Sequence, residues 1–486
     1  MISELTSFQQ FGATATLSAG YQSGTEVAAL GVNQSRRVEK QDGVYQNLPQ
    51  EGALQQDVAQ VLRRLVRELA AKVDGGEAAW EMLCLLIHRS CQKHSLDLWP
   101  RDKEQVDLPI QQSFLWYGSN SGDGADSQAS GAYIFRPDGS TPTVVSRSVP
   151  LKVIRGPLVD EVHQQFSPWI YQVTRLYKDK EHAEVEYTIG PIPVNDGIGK
   201  EVITRLTANM VTNHTFYTDS NGRDFLKRVR DYREDWDLQV TQPVAGNYYP
   251  VNLGMYVTDG KYELSVLVDR AVGASSIQDG QIEMMFHRRI LYDDGRGVGE
   301  PLDETVCVDS KCDGLVARGT YYVNVNKLGH GAHWRRTQGQ KVYSPFLLGF
   351  AHEDESSWKS YSVVKASMMD ANYSRPDNVA IITLQYLDDG TTLLRLAHLF
   401  QAAEDPQYSV MAKVELKKFF GKRTIKELTE TNLSANQKKS AMRKLKWRVV
   451  GDTESSPAPI TGRPVDSQAL VVELGPMEIR TFLLKL

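Results

Sequence analysis

Adjacent carboxylates occur at Asp293-Asp294 and Asp388-Asp389, and paired carboxyl groups are what acid and base catalysis at a single bond requires. Each pair is followed by glycine, and neighbouring side chains of a tight turn point apart, so both pairs are read as turn formers. The ten histidines give no His-His-Asp segment and no His-x-x-x-His pair, the spacings that would gather a zinc ion. His163 beside Glu161, and His287 before Arg288-Arg289, are read as structural or surface residues. The run GRGVGE at 295–300 lacks the strand-then-helix setting of a phosphate loop. Cys307 and Cys312 flank four residues of turn character and could close a small disulfide loop, or remain two thiols. Cys84 and Cys91 share one face of a helical pattern and read as buried small hydrophobes.

The elements that must carry these residues change in kind near residue 105. Residues 1–50 are mostly irregular, and 51–105 carry two amphipathic helical patterns, LQQDVAQVLRRLVRELAAKV and EAAWEMLCLLIHRSCQKHSL, forming a helical hairpin. From Val106 onward strands dominate. AEVEYTIG and YELSVLVDR alternate apolar with polar residues, while VAIITLQYL, TTLLRLAHLF, SVMAKVEL and ALVVELGPMEIRTFLLKL are β-branched and apolar. Asp-Gly pairs at 138–139, 259–260, 279–280 and 389–390 supply turns. The fold class is mainly β: a large antiparallel β-sandwich over 106–305, then a smaller β domain over 306–486, preceded by a short helical segment.

A net charge of -5, from 55 basic and 60 acidic residues mixed along 486, leaves no basic field for a phosphate backbone, so nucleic acid is not an expected partner. No apolar run approaches the roughly 18 residues of a membrane span. The opening MISELTSFQQFGATATLSAG carries neither the basic nor the apolar region of a secretory signal.

Longer motifs carry a family resemblance. HTFYTDSNGRDFLKRVRDYREDW with PVAGNYYPVN, then SVLVDRAVGASSIQDGQIEMMFHRRILYDDGRGVGEPL, resemble the non-catalytic half of plant-type (lysosomal and vacuolar) class II α-mannosidases. SGAYIFRPDG, GPLVDEVHQQ, DGIGKEVITR, HWRRTQGQKVYSP and GPMEIRTFLL follow the same order. The resemblance is to glycoside hydrolase family 38, a retaining family that removes α-linked mannose from N-glycans with zinc. It implies a galactose-mutarotase-like supersandwich, a mannose-containing glycan as ligand, and a vacuolar, lysosomal or secretory setting. It also implies that zinc belongs to a preceding α/β domain. No His-x-Asp motif occurs within residues 1–105 and no His-His-Asp segment occurs anywhere, so neither catalytic nucleophile nor cofactor is expected in this chain.

By the same resemblance, Tyr133 is the leading candidate for a substrate-facing hydroxyl and Arg288 or Arg289 for a substrate-binding guanidinium. The alternatives are a sandwich-core or edge role for Tyr133 and ion pairs from the arginines to Asp293 or Asp294. Asn213, Asn372 and Asn432, with Asn33 further upstream, head glycosylation sequons. Two functions compete: an α-mannosidase relative that is inactive alone, and a carbohydrate-binding or assembly module that pairs with a separate catalytic chain. An unrecognised active site within 1–105, using groups such as His88 or His94, is disfavoured because two short helices build no sugar-sized pocket.

Overall fold

The computed structural model describes residues 108–124, 128–345, 349–350, 369–370, 372–443, 460–466 and 468–486. The expected irregular segment and helical hairpin, with Asn33, Cys84 and Cys91, lie outside the described residues. One compact unit holds everything described below.

Two antiparallel sheets stack face to face. The smaller has six strands in the order Tyr249–Val251, Val272–Ser275, Gln281–Arg289, Lys200–Ala208, Ile110–Gly118 and Thr143–Val144. The larger has nine, running Leu151–Arg155, Val159–Ser167, Ile170–Tyr177, Ala183–Ile189, Ala317–Lys327, Tyr262–Val268, Gly254–Thr258, Thr215–Ser220 and Asp224–Val229. Alternation explains the stacking. In Ala183–Ile189 every second residue is buried, and Val185, Tyr187 and Ile189 meet Phe114, Val202 and Ile282 from the six-stranded sheet. Inside this apolar layer the buried amide of Gln112 donates to Gln172 (2.6 Å) and Thr204 (2.9 Å), so the buried polar groups satisfy one another.

The expected break at 305/306 falls in the wrong place. Ala317–Lys327 pairs on one side with Ala183–Ile189 and on the other with Tyr262–Val268, and so occupies the middle of the nine-stranded sheet. A strand buried between two neighbours cannot belong to another domain, and the first module therefore extends through the helix Gly331–Tyr343. That helix seats Trp334 on Leu253 and Leu267.

The second module contains a four-stranded sheet, Val379–Tyr386, Thr392–His398, Ile479–Lys485 and Glu427–Thr431, with a two-stranded piece, Ala412–Glu415 and Val471–Leu474. Leu394, Leu396, Val414, Val472, Phe482 and Leu484 form its core. Of the four Asp-Gly turns, Gly139, Gly280 and Gly390 adopt positive φ, the conformation that favours glycine, and Gly260 does not. Among the described residues, no helix is long and apolar enough to cross a membrane.

Candidate functional site

The six-stranded sheet has two unlike faces. Its inner face feeds the sandwich core; its outer face carries Leu115, Tyr117, Ile203 and Met285, against which Phe135, Val244 and Tyr248 pack. Charged side chains stand among them in two clusters.

In the first, the fully buried Glu283 accepts hydrogen bonds from Tyr117 (3.0 Å), from Tyr248, and from Arg205 Nε (2.9 Å). Burial, then the neighbouring Glu283 charge, pushes the Tyr117 phenol far above its ordinary range. Tyr117 and Tyr248 are therefore donors that hold a carboxylate. All four groups satisfy one another, which marks a structural cluster.

The second cluster reaches the surface. Glu201, also fully buried, accepts from Arg288 Nε at 2.8 Å and from Ser130 Oγ at 2.5 Å. Burial raises the Glu201 carboxyl above its ordinary value, while Arg288 and Ser130 pull it down. Arg288 Nη2 donates to the Ile134 carbonyl at 2.9 Å, and Nη1 has no partner among the described residues. The loop from Ser130 to Arg136 is thus tied to the sheet through one buried ion pair. From it Tyr133 projects 68% exposed, with its hydroxyl unpartnered among the described residues.

A β-bulge decides which arginine takes part. Along Gln281–Arg289, Glu283 and Met285 face outward, and continued alternation would send Arg289 the same way. The register shifts between Met285 and His287, so Arg288 comes opposite Glu201 on the outer face. Arg289 turns away, to Asp303 and to the Ile192 carbonyl (2.8 Å). The ion pairs expected with Asp293 or Asp294 do not form: Arg288 pairs with Glu201 and Arg289 with Asp303. The expectation of a core role for Tyr133 fails, because its side chain is in solvent, and the residue lies in a bend of the loop and in no strand.

Asp294 does more than form a turn. Its Oδ1 accepts the local Arg296 N–H (3.0 Å), as a turn residue would, but its Oδ2 accepts the N–H groups of Tyr133 (2.7 Å) and Ile134 (2.9 Å). Burial would raise its carboxyl; these N–H donors outweigh that and lower it. Asp389 behaves as expected, accepting from Thr391 two residues on.

His163 bonds Glu161 (3.0 Å) and the Tyr171 hydroxyl, and His287 bonds the Leu315 carbonyl (3.0 Å). Cys307 and Cys312 are joined by a disulfide across an exposed two-stranded hairpin. Asn213 and Asn372 are exposed, whereas Asn432 is half-buried and its Nδ2 donates to Asn436 (2.6 Å). Among the described residues, no three His, Cys, Asp or Glu side chains converge to hold a metal ion, so the residues of this face do not fit a zinc site. The triplet His352-Glu353-Asp354 has His-x-Asp spacing and lies outside the described residues.

Comparison with known proteins gives two family matches in chain order. Residues 100–296 match the glycosyl hydrolases family 38 C-terminal domain, and residues 378–482 its C-terminal β-sandwich domain. The chain is 63% identical over 386 residues to an alpha-mannosidase of Canavalia ensiformis, covering 79% of this chain and 39% of that protein. It is 58% identical over 399 residues to a probable alpha-mannosidase of Arabidopsis thaliana, covering 78% and 38%. With the lysosomal alpha-mannosidase of Homo sapiens it shares 43% identity over 383 residues, covering 78% and 37%. The chain therefore spans well under half the length of these relatives.

Proposed function

Since the chain belongs, through its two C-terminal domains, to glycosyl hydrolase family 38, we propose that it is the non-catalytic β portion of an α-mannosidase acting on mannose-containing glycans. In this reading Tyr133 and Arg288 form one wall of a mannose pocket, and another domain supplies the nucleophile and the zinc. The observation that carries it is the exposed Tyr133 phenol, held out from a loop that a buried ion pair fastens to the sheet. A phenol offers a sugar both a hydrogen bond and an apolar face, and Arg288, whose Nη1 has no partner among the described residues, bonds the carbonyl of the next residue, Ile134. A lysosomal or vacuolar setting is proposed from the named relatives, with Asn213 and Asn372 as exposed glycan acceptors and Asn432 as a third.

The second reading is an assembly module that pairs with a separate catalytic chain. Both readings meet in one assay: hydrolysis of a chromogenic α-mannoside with and without zinc, by the chain alone and mixed with the remaining part of that relative. The chain alone is expected to be inert. Recovery of turnover in the mixture, lowered about 10-fold by Tyr133→Phe, supports the shared pocket, a lost hydrogen bond of about 1.4 kcal/mol being a factor of ten. Zinc-dependent turnover by the chain alone, abolished by changing His88 or His94, would overturn the proposal.

A further inference from the structure

We infer that Asp294 is a positioning residue, whose buried carboxylate clasps the backbone of Tyr133 and thereby sets where the phenol projects. The side chain is 5% exposed and forms no ion pair among the described residues. What it holds is backbone: the N–H groups of Tyr133 and Ile134 on Oδ2, and that of Arg296 on Oδ1. Charge-assisted bonds to backbone N–H groups are among the stronger hydrogen bonds, and two of them on successive residues fix both position and direction.

Three further observations show a fitted joint. A Cβ at Gly131 would stand 2.6 Å from both Cβ and backbone N of Asp294, so the two loops touch with no room for a side chain. Gln128 straddles the same joint, donating to the Asp294 carbonyl (2.9 Å) and accepting from Arg296 (2.5 Å). Gly295, Gly297 and Gly299 all take positive φ, which lets the chain double back after presenting Asp294. Glu201 with Arg288 secures the loop at Ser130 and at the Ile134 carbonyl, while Asp294 secures the two amides between. The purpose given to the clasp rests on Tyr133 being the sugar-facing group; its existence does not.

The test is hydrogen exchange on the full chain. In the wild type, the Tyr133 and Ile134 amides should exchange at least about 100-fold more slowly than free amides, although the Tyr133 side chain lies in solvent. Asp294→Asn should speed exchange of these two amides about 10-fold or more, leaving the strands unchanged, because the variant loses a charged acceptor. Asp293→Asn, one residue away, should not. Fast exchange of both amides in the wild type would overturn the clasp, even if Asp294→Asn failed to fold, and so would unchanged exchange in a folded Asp294→Asn. Binding of methyl α-mannoside by the catalytically complemented chain separates the two ideas. Asp294→Asn and Tyr133→Phe should both weaken it, and Tyr133→Phe should leave the two amides protected. If Tyr133→Phe binds as the wild type does, the pocket reading fails and the clasp stands.

Discussion

At the scale of single residues, Arg288 and Tyr133 carry opposite expectations. Removing Arg288 leaves the fully buried Glu201 without its cation, so Arg288→Ala should cost about 3 kcal/mol in urea unfolding. Tyr133→Phe touches only an exposed, unpartnered hydroxyl and should stay within about 0.5 kcal/mol. Equal losses in the two variants would contradict this division between anchor and presented group. His182 gives a pH signature. Its Nδ1 accepts from Trp334 Nε1 at 3.1 Å, and burial, with Lys180 nearby, pushes its pKa down to about 4. An unfolded chain takes up this proton near pH 6.5 and the folded one only near 4, so stability declines as pH falls through that window. The loss is at most about 3.5 kcal/mol at about 1.4 kcal/mol per pH unit. The drop in urea midpoint between pH 7 and 4.5 should shrink in His182→Gln; an unchanged drop would show that His182 does not titrate in this way.

At the scale of elements, the paired strands Lys200–Ala208 and Gln281–Arg289 decide what the outer face can do. At one end the Ala208 N–H bonds the Gly280 carbonyl (2.9 Å), and near the other the register shifts at the bulge at Phe286. Gly280 has φ 71°, and a Cβ there would lie 2.2 Å from the Ala208 carbonyl oxygen. Gly280→Ala should therefore destabilise the chain by about 2 kcal/mol or more, adding a collision to a conformation that alanine disfavours. Asp259-Gly260 is the comparison. Gly260 has no positive φ and nothing within 4 Å of its would-be Cβ, so Gly260→Ala should be nearly neutral, and similar thermal shifts for the two would refute the argument.

At the scale of the whole described molecule, two arginines join the modules, beside a ring stack of His333 on Tyr408. Arg336, on the helix Gly331–Tyr343, bonds both carboxylate oxygens of Glu404 at 3.1 and 2.9 Å, and both side chains are at least nine-tenths buried. Arg223 donates to the carbonyls of His398 (2.9 Å) and Met477 (3.2 Å). A junction made of buried charge transmits unfolding from one module to the other only while it is intact. Wild-type calorimetry should show one transition, and Glu404→Gln should split it in two, with calorimetric enthalpy exceeding the van't Hoff value. A single transition in both would place the coupling elsewhere.

Much of this was legible in the sequence. Alternating and β-branched runs placed Ala183–Ile189, Tyr262–Val268 and Val379–Tyr386, because strand burial follows local pattern. The long motifs around 214–302 identified the family before any geometry was known. Tertiary structure alone decided the rest, because it depended on partners far away in the chain. Arg288 and Arg289 are indistinguishable as a dipeptide; a bulge and the partner Glu201, 87 residues away, separate them. Ala317–Lys327 has no local sign of where it pairs, so its place in the larger sheet was invisible. Asp294 looked like a turn residue and is one, through Oδ1; its other oxygen reaches back 161 residues to Tyr133, a contact that local spacing cannot encode.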